Sequence, residues 1–284
     1  MRQCLIAIGC NQGNCQAQIA AALDQLDQLP DTRVVQTSSL RQTAPVGNTD
    51  QTFLNGAVLL QTGLPPAHLM TCLLELESSA GRQRGRDSGN RPLDLDILLF
   101  DDLSIQEPGL TIPHPRMSFR RFVLEPAAEI AAEWSHPELD CRLGELLNQL
   151  DSRPNVIAVV MSPAIAQLLQ QQPDLCDRAA ETSIVWQRDS AINDSADDPS
   201  AFTDDRWLVL MFDDDASIEA WADQIKLLIA PELTSGYRGP RWIVSDDVTL
   251  PVSGQATALV DQVMTAIASM QPAKGVVPSA RHPL

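Results

Sequence analysis

Asp94 and Asp96, in the run Leu93-Asp94-Leu95-Asp96-Ile97-Leu98-Leu99-Phe100, are the residues of this chain best placed to do chemistry. Leu93, Leu95, Ile97 and Leu99 alternate with them, so the run reads as a strand with one apolar face. The period of two puts both carboxylates on the other face, roughly 7 Å apart along the strand. Carboxylates so spaced suit hard divalent cations that keep waters and also take phosphate oxygens. Just upstream, Arg82, Arg84, Arg86 and Arg91 lie among Gly85, Ser88, Gly89 and Asn90, a cationic loop closed by Pro92. A polyphosphate needs this combination of cations and metal-binding carboxylates. Taken alone, such a loop also reads as a solvated surface, and LDLD as an edge strand with one wet face.

A second cationic cluster follows in Pro113-His114-Pro115-Arg116 and Phe119-Arg120-Arg121-Phe122. Two prolines fix the backbone around His114, although a lone histidine is more often a satisfied structural group. Earlier, Thr43-Ala44-Pro45-Val46-Gly47 precedes Phe53-Leu54-Asn55. Pro45 and Gly47 read equally as turn formers and Phe53 as core. A buried Asn55 requires hydrogen-bond partners.

Several elements must hold these groups. Cys4–Gly9 reads as a buried strand, with a turn at 11–14, and Ile19, Leu23 and Leu26 mark a helix ending before Pro30. Strands follow over Arg33–Thr43 and Phe53–Leu60, then a helix over Leu64–Ser79 closing on Gly81, then the LDLDILLF strand. The order β-α-β-β-α-β is that of a ferredoxin-like antiparallel sheet with helices, an α+β fold. Pro126–Glu133 and Leu139–Leu150 read as two further helices.

The arginine loop leading into Arg91-Pro92-Leu93-Asp94-Leu95-Asp96-Ile97 resembles the signature of the 6-hydroxymethyl-7,8-dihydropterin pyrophosphokinase family. Gly9-Cys10-Asn11 resembles the family's Gly-x-Asn turn, with cysteine where serine is usual. Thr43 to Gly47 resembles its pterin-side loop, Phe53-Leu54-Asn55 its F/Y-L-N element, and 113–124 its PHPR-x-x-x-R-x-FVL segment. The resemblance covers about residues 1–150. It implies pyrophosphoryl transfer from ATP to the hydroxymethyl dihydropterin, releasing AMP, in folate biosynthesis. It also implies two Mg²⁺ on Asp94 and Asp96, and catalytic roles for Arg82 and Arg91. ATP would be held by Arg82, Arg84, Arg91, His114 and Arg120 and the backbone of Ile97 and Thr111. The pterin would be held by Thr43, Pro45, Val46, Phe53, Asn55 and Phe122. Some members carry an aromatic residue in the arginine loop where this chain has Ser88 and Gly89. Rival readings are a two-aspartate nucleotidyltransferase, which would release pyrophosphate, and a non-catalytic pterin or nucleotide binder.

A formal net charge of −17 over 284 residues excludes nucleic acid and anionic membranes as expected partners, leaving small molecules. Carboxylates outnumber cations on both sides of Leu150, so the arginine loop is a local exception. No segment approaches 18 apolar residues. The six cysteines (4, 10, 15, 72, 141 and 176) show no C-x-x-C, so buried free thiols and a cytoplasmic location are expected. Oligomeric state is left open.

After a short linker at 151–154, strands are expected over Val156–Met161, Ser183–Gln187, Trp207–Phe212 and Trp242–Val244. Helices are expected over Pro163–Gln171, Ile218–Ile229 and Gln255–Met270, and an acidic loop over Ser190–Asp205. Together they predict a small α/β domain over 155–284 beside a catalytic domain over 1–152. Asp213-Asp214-Asp215 suits a helix N-terminus at least as well as a metal. The segment from Pro272 reads as a frayed tail.

Overall fold

The computed structural model describes residues 1–45, 51–82, 89–139, 141–151, 155–160, 167, 184–188, 207–212, 241–243, 261, 264–270, 273 and 275–277. The chain divides into two compact units, Met1–Asn148 with Ala268–Leu284, and Gln149–Ile267.

The first unit is built on β1 (Arg2–Cys10), which pairs antiparallel with β4 (Phe53–Thr62) on one side and β5 (Asp94–Phe100) on the other. Being central, β1 is apolar on both faces; Cys4, Leu5 and Ile6 are fully buried. Helix α1 (Cys15–Asp27) starts where the Asn14 side chain accepts from Ala17 N, and buries Ile19, Ala22, Leu23 and Leu26. Helix α2 (Pro66–Ser79) begins with proline in its first turn, where the missing N–H costs nothing. Its stripe of Leu69, Leu73 and Glu77 faces inward at every fourth residue.

The expected β-α-β-β-α-β order is present, in an antiparallel sheet with the α+β character predicted. The strand expected over Arg33–Thr43 is two, β2 (Thr32–Thr37) and β3 (Leu40–Thr43). Both pair with β4. They part at Ser38 and Ser39, where Ser38 N still donates to Ala57 O (2.9 Å) but side chains enter the remaining pairing. Ser38 Oγ accepts from Ala57 N (2.9 Å), and Ser39 N and Oγ both donate to Glu129 Oε1 (2.7 and 2.8 Å). A hairpin of β6 (Ile105–Glu107) and β7 (Leu110–Ile112) then leads to helix α3 (Arg121–Ala131). That helix starts five residues earlier than expected and carries Pro126 inside it. Leu139 lies between β8 (Ser135–His136) and β9 (Cys141–Arg142), so the next helix, α4 (Leu143–Asp151), starts later than predicted.

Two expectations are corrected. Cys10 and Cys15 are joined in a disulfide rather than being free thiols. The turn between the end of β1 and the start of α1 brings their Cα atoms to 5.4 Å, within bridging range. Cys4, Cys72 and Cys141 are free. Nor is the segment after Pro272 simply a tail. Strand β14 (Gly275–Val277) pairs antiparallel with β3, giving the order β14-β3-β4-β1-β5. The boundary drawn at 155–284 therefore fails at its C-terminal end, where Ala268–Leu284 belongs to the first unit.

In the second unit, β10 (Asn155–Val160), β11 (Ile184–Arg188), β12 (Trp207–Phe212) and β13 (Arg241–Ile243) form a parallel sheet in the order β11-β12-β10-β13. These strands stand within a residue of the predicted ones. Of the helix expected at 163–171 only residue 167, which is helical, is described; the helix expected at 218–229, the acidic loop at 190–205, the linker at 152–154 and Asp213–Asp215 lie outside the described residues. Among the described residues, no helix is long and apolar enough to cross a membrane.

Candidate active site

The sheet register sets the site. Gly9 on β1 pairs with Asp94 on one side and Asn55 on the other, and Asn55 pairs in turn with Arg41 of β3. Two residues along, Ala7 pairs with Asp96 and Ala57. Glycine and alanine therefore leave the floor low beside the two carboxylates. At Gly9 the requirement is one of space: a Cβ there would lie 2.9 Å from Asn55 Oδ1 and 3.7 Å from Asp94 Cβ. Buried Asn55 donates to Thr43 Oγ1 (2.8 Å), also buried. The structure thus brings Thr43 and Asn55 together, on the strand pair that also places Phe53, half-buried, opposite Thr43. Pro45 is described one residue beyond Ala44; Val46 lies outside the described residues.

Asp94 is met by two arginines. Arg91 Nη1 lies 2.5 Å from its Oδ2, and Arg82 Nη1 lies 2.6 Å from its Oδ1. Arg82 also pairs with Glu77. Glu77, 2% exposed, accepts from the Leu95 backbone N–H (2.8 Å), capping the outer edge of β5. This carboxylate was missed in the sequence, although it continues the Leu69–Leu73 stripe of α2 by one more turn. Burial works against the charged form of Arg91, yet Asp94, Asp96 and Glu77 raise its pKa. Burial, then Asp94 and Glu77, push the Asp96 carboxyl up to about 6.

This pair fits a divalent cation. Asp94 Oδ1 is shielded from solvent and, despite the nearby Arg82 charge, has no aligned hydrogen-bond donor. Asp96 is held at a potential that added positive charge would relieve. Among the described residues no three of His, Cys, Asp and Glu gather in a metal-binding group. Two carboxylates at this spacing would suit Mg²⁺, which completes its shell with water and phosphate.

Asn11 anchors the exit of the arginine loop. Its backbone N–H donates to Arg91 O (3.0 Å), its Nδ2 to Gly89 O (3.1 Å), and its Oδ1 accepts from Arg91 N (2.6 Å). The Gln18 amide nitrogen, oriented to donate, reaches Pro92 O (2.7 Å) and Gln12 O (2.9 Å). Arg84 lies outside the described residues.

His114 hangs on β5 through its backbone N–H to Leu98 O (2.9 Å). Its Nε2 lies 3.9 Å from Asp96 Oδ2, and its Nδ1 accepts from Arg116 N (3.1 Å). Burial, then Arg120 and Arg116, hold its pKa down to about 4. The ring is therefore neutral near pH 7, with its proton on Nε2, and supplies a hydrogen-bond donor rather than the charge the sequence suggested. Burial and then Arg116 lower Arg120 to about 10, so it stays cationic, with its guanidinium 5.6 Å from the Phe122 ring centre. Ile97 is buried in β5, and Thr111 sits on β7 opposite Gln106. Arg121 is structural: buried, it donates to Met270 O (2.8 Å) and pairs with Glu125.

Residues 5–132 match the family model for 7,8-dihydro-6-hydroxymethylpterin-pyrophosphokinase (HPPK). A 2-amino-4-hydroxy-6-hydroxymethyldihydropteridine pyrophosphokinase of Pseudomonas aeruginosa is 42% identical over 134 residues, covering 47% of this chain and 83% of the relative. The chain belongs to the HPPK family. Proteins of the same name from Haemophilus influenzae (42% over 129 residues; 45% and 81%) and Synechocystis (34% over 147 residues; 52% and 75%) agree. The HPPK match ends well before the second unit and β14.

Three outcomes are expected. Gly9→Ala drives a methyl against Asn55 Oδ1, so dihydropterin affinity falls about tenfold, or about 1.4 kcal/mol; a fluorescence titration checks it. Glu77→Gln keeps an acceptor for Leu95 N–H, whereas Glu77→Leu strands that donor at a cost of about 1–3 kcal/mol. Amide exchange at Leu95 should separate the two variants. Finally, the His114 ring should titrate near pH 4 by NMR in the metal-free protein. Acidification from about 6.5 toward 4 then destabilises the fold through His114, because the unfolded chain protonates first. Asp96 acts in the opposite direction below about 6, so the ring's own titration is the decisive measurement.

Proposed function

We propose that this site transfers a pyrophosphoryl group from ATP to 6-hydroxymethyl-7,8-dihydropterin, giving the pterin diphosphate and AMP in folate biosynthesis. The carrying observation is the cross-strand row Asp94–Gly9–Asn55, which sets a metal-ready carboxylate beside a buried amide with open floor between them.

In this reading the pterin lies between Phe53 and Phe122, with its edge against Asn55 and Thr43 and its outer side toward Pro45 and Val46. Its hydroxymethyl oxygen is directed to the β-phosphorus of ATP. Asp94 and Asp96 would hold two Mg²⁺, which would offset phosphate charge and favour loss of the hydroxyl proton. Arg82 and Arg91 occupy Asp94 in this structure. Turning from Asp94 to the phosphates would let both offset charge on the transferring group. Glu77 keeps Arg82 near that position. His114 donates its Nε2 proton to a phosphate oxygen, and Arg120 adds a cation beside it. Arg84 would add a further cation, and the backbone of Ile97 and Thr111 would read adenine. Phosphoryl-type transfer rests on positioning and electrostatics, so no dedicated general base is required.

All the assigned residues belong to the first unit. The unit Gln149–Ile267 carries none of them, and we assign it no part in the chemistry.

Asp94→Asn and Asp96→Asn test the reading. Each should lower turnover at saturating Mg²⁺ at least about a thousandfold, or about 4 kcal/mol in the barrier, while the far-ultraviolet circular dichroism is unchanged. The small product must be AMP; pyrophosphate would point to nucleotidyl transfer, and near-normal turnover in either variant would sink the metal assignment.

A further inference from the structure

We infer that β14, the C-terminal strand Gly275–Val277, is a positioning element for the pterin-binding wall. This rests on the pterin reading above and lies outside the region that the HPPK model matches.

The ladder pairs Gly275 with Gln42, Val276 with Arg41 and Val277 with Leu40. Arg41 pairs on its other side with Asn55, Asn55 with Gly9, and Gly9 with Asp94. One cross-strand row therefore runs Val276–Arg41–Asn55–Gly9–Asp94, from the C-terminal strand to the metal carboxylate. Val276 is 59% exposed, whereas half-buried Val277 packs against the core that contains its partner Leu40, so β14 is held by main-chain pairing and one apolar side chain.

Strand β3 needs that contact at one end. Its start is tied to α3, where Arg41 pairs with Glu125 (3.7 Å) and Glu129 (2.9 Å) and Ser39 binds Glu129. Its end, Gln42–Thr43, has the β4 ladder, a 3.3 Å hydrogen bond from Gln42 to Thr52, and the Asn55–Thr43 hydrogen bond. On its outer side, Gly275 pairs with Gln42, the residue before Thr43. Without β14, β3 becomes a four-residue edge strand, and its last residues are those that hold Asn55 in orientation. A second anchor delivers β14 to this place: buried Met270 offers its carbonyl to the buried Arg121 guanidinium. A charged hydrogen bond in that setting is not a casual surface contact. The intervening unit is thus flanked in sequence, on both ends, by parts of the catalytic unit.

The test uses the full chain with Val276→Pro and Val277→Pro made singly. Backbone N–H groups alternate sides along a strand, so only one of the two points at β3. Proline at that position removes a ladder hydrogen bond; at the other it is tolerated as on any edge. The expected result is one variant with dihydropterin affinity about tenfold weaker, ATP affinity within about twofold, and faster amide exchange over Leu40–Thr43. The other variant, and Val276→Thr, should bind like the parent. Retained ATP binding reports that the unit is folded. Asn55→Ala is measured alongside. If it weakens pterin binding while both proline variants bind normally, β14 has no positioning role and the pterin reading stands. If Asn55→Ala leaves pterin binding unchanged, the pterin reading itself falls, and this inference with it. Should both proline variants lose ATP and pterin binding together, β14 is a general prop of the fold, which also overturns the inference.

Discussion

A missing side chain governs this active site. β1 is the central strand, so each of its residues is hemmed by neighbours on β4 and β5 about 5 Å away. At Gly9 those neighbours are Asn55 and Asp94, and a methyl group would stand 2.9 Å from the Asn55 oxygen. Because Asn55 is already held by Thr43, it cannot turn aside without losing that hydrogen bond. The demand for glycine is therefore not conformational. It comes from two polar side chains on opposite strands needing one shared space.

Charge is arranged around the same space in a way that resists collapse. Asp94 alone takes two guanidinium groups, and Glu77 takes one of those from behind. Removing either partner from such a buried group leaves a charge uncompensated, which costs more than the pair itself contributes. Burial, then Asp94 and Glu77, raise the Asp96 pKa, while burial, then Arg120 and Arg116, keep His114 neutral. The site is thus strained in opposite directions by its two charge types. The proposed ligand, with metal cations and phosphate anions together, would relieve both.

What the sequence made legible was local. The alternation in LDLDILLF shows which residues share a face, and the arginines beside it share its neighbourhood along the chain. Strand ends were read within a few residues where apolar runs are uninterrupted, as at Trp207–Phe212. Other features depend on pairings that no local pattern encodes. Ser38 and Ser39 break a strand because Ala57 and Glu129, far along the chain, accept their company. Cys10 and Cys15 meet because a turn joins β1 to α1, at a spacing with no motif of its own. Glu77 hides in a helical stripe where a leucine would be expected, and its partner, the Leu95 N–H, exists only once β5 is an edge.

Strand β14 is the extreme case. Gly-Val-Val is too short to announce a strand, and the residues before it invite the reading of a second domain running to the end of the chain. Its place follows instead from a vacancy: β3 has an unpaired outer edge, and an unpaired edge in a folded sheet is either covered, charged or filled. Here it is filled from a point more than 230 residues along the chain, since Val276 pairs with Arg41. Closing a loop of that size costs only slowly more as it lengthens, because the entropy grows with the logarithm of length. A compact unit lying within the loop adds little to that cost, provided its two ends can reach. Two anchors, the β14 ladder and the Arg121–Met270 hydrogen bond, offset it at the far end. A domain boundary drawn from sequence alone follows the chain, whereas the physical boundary follows the sheet.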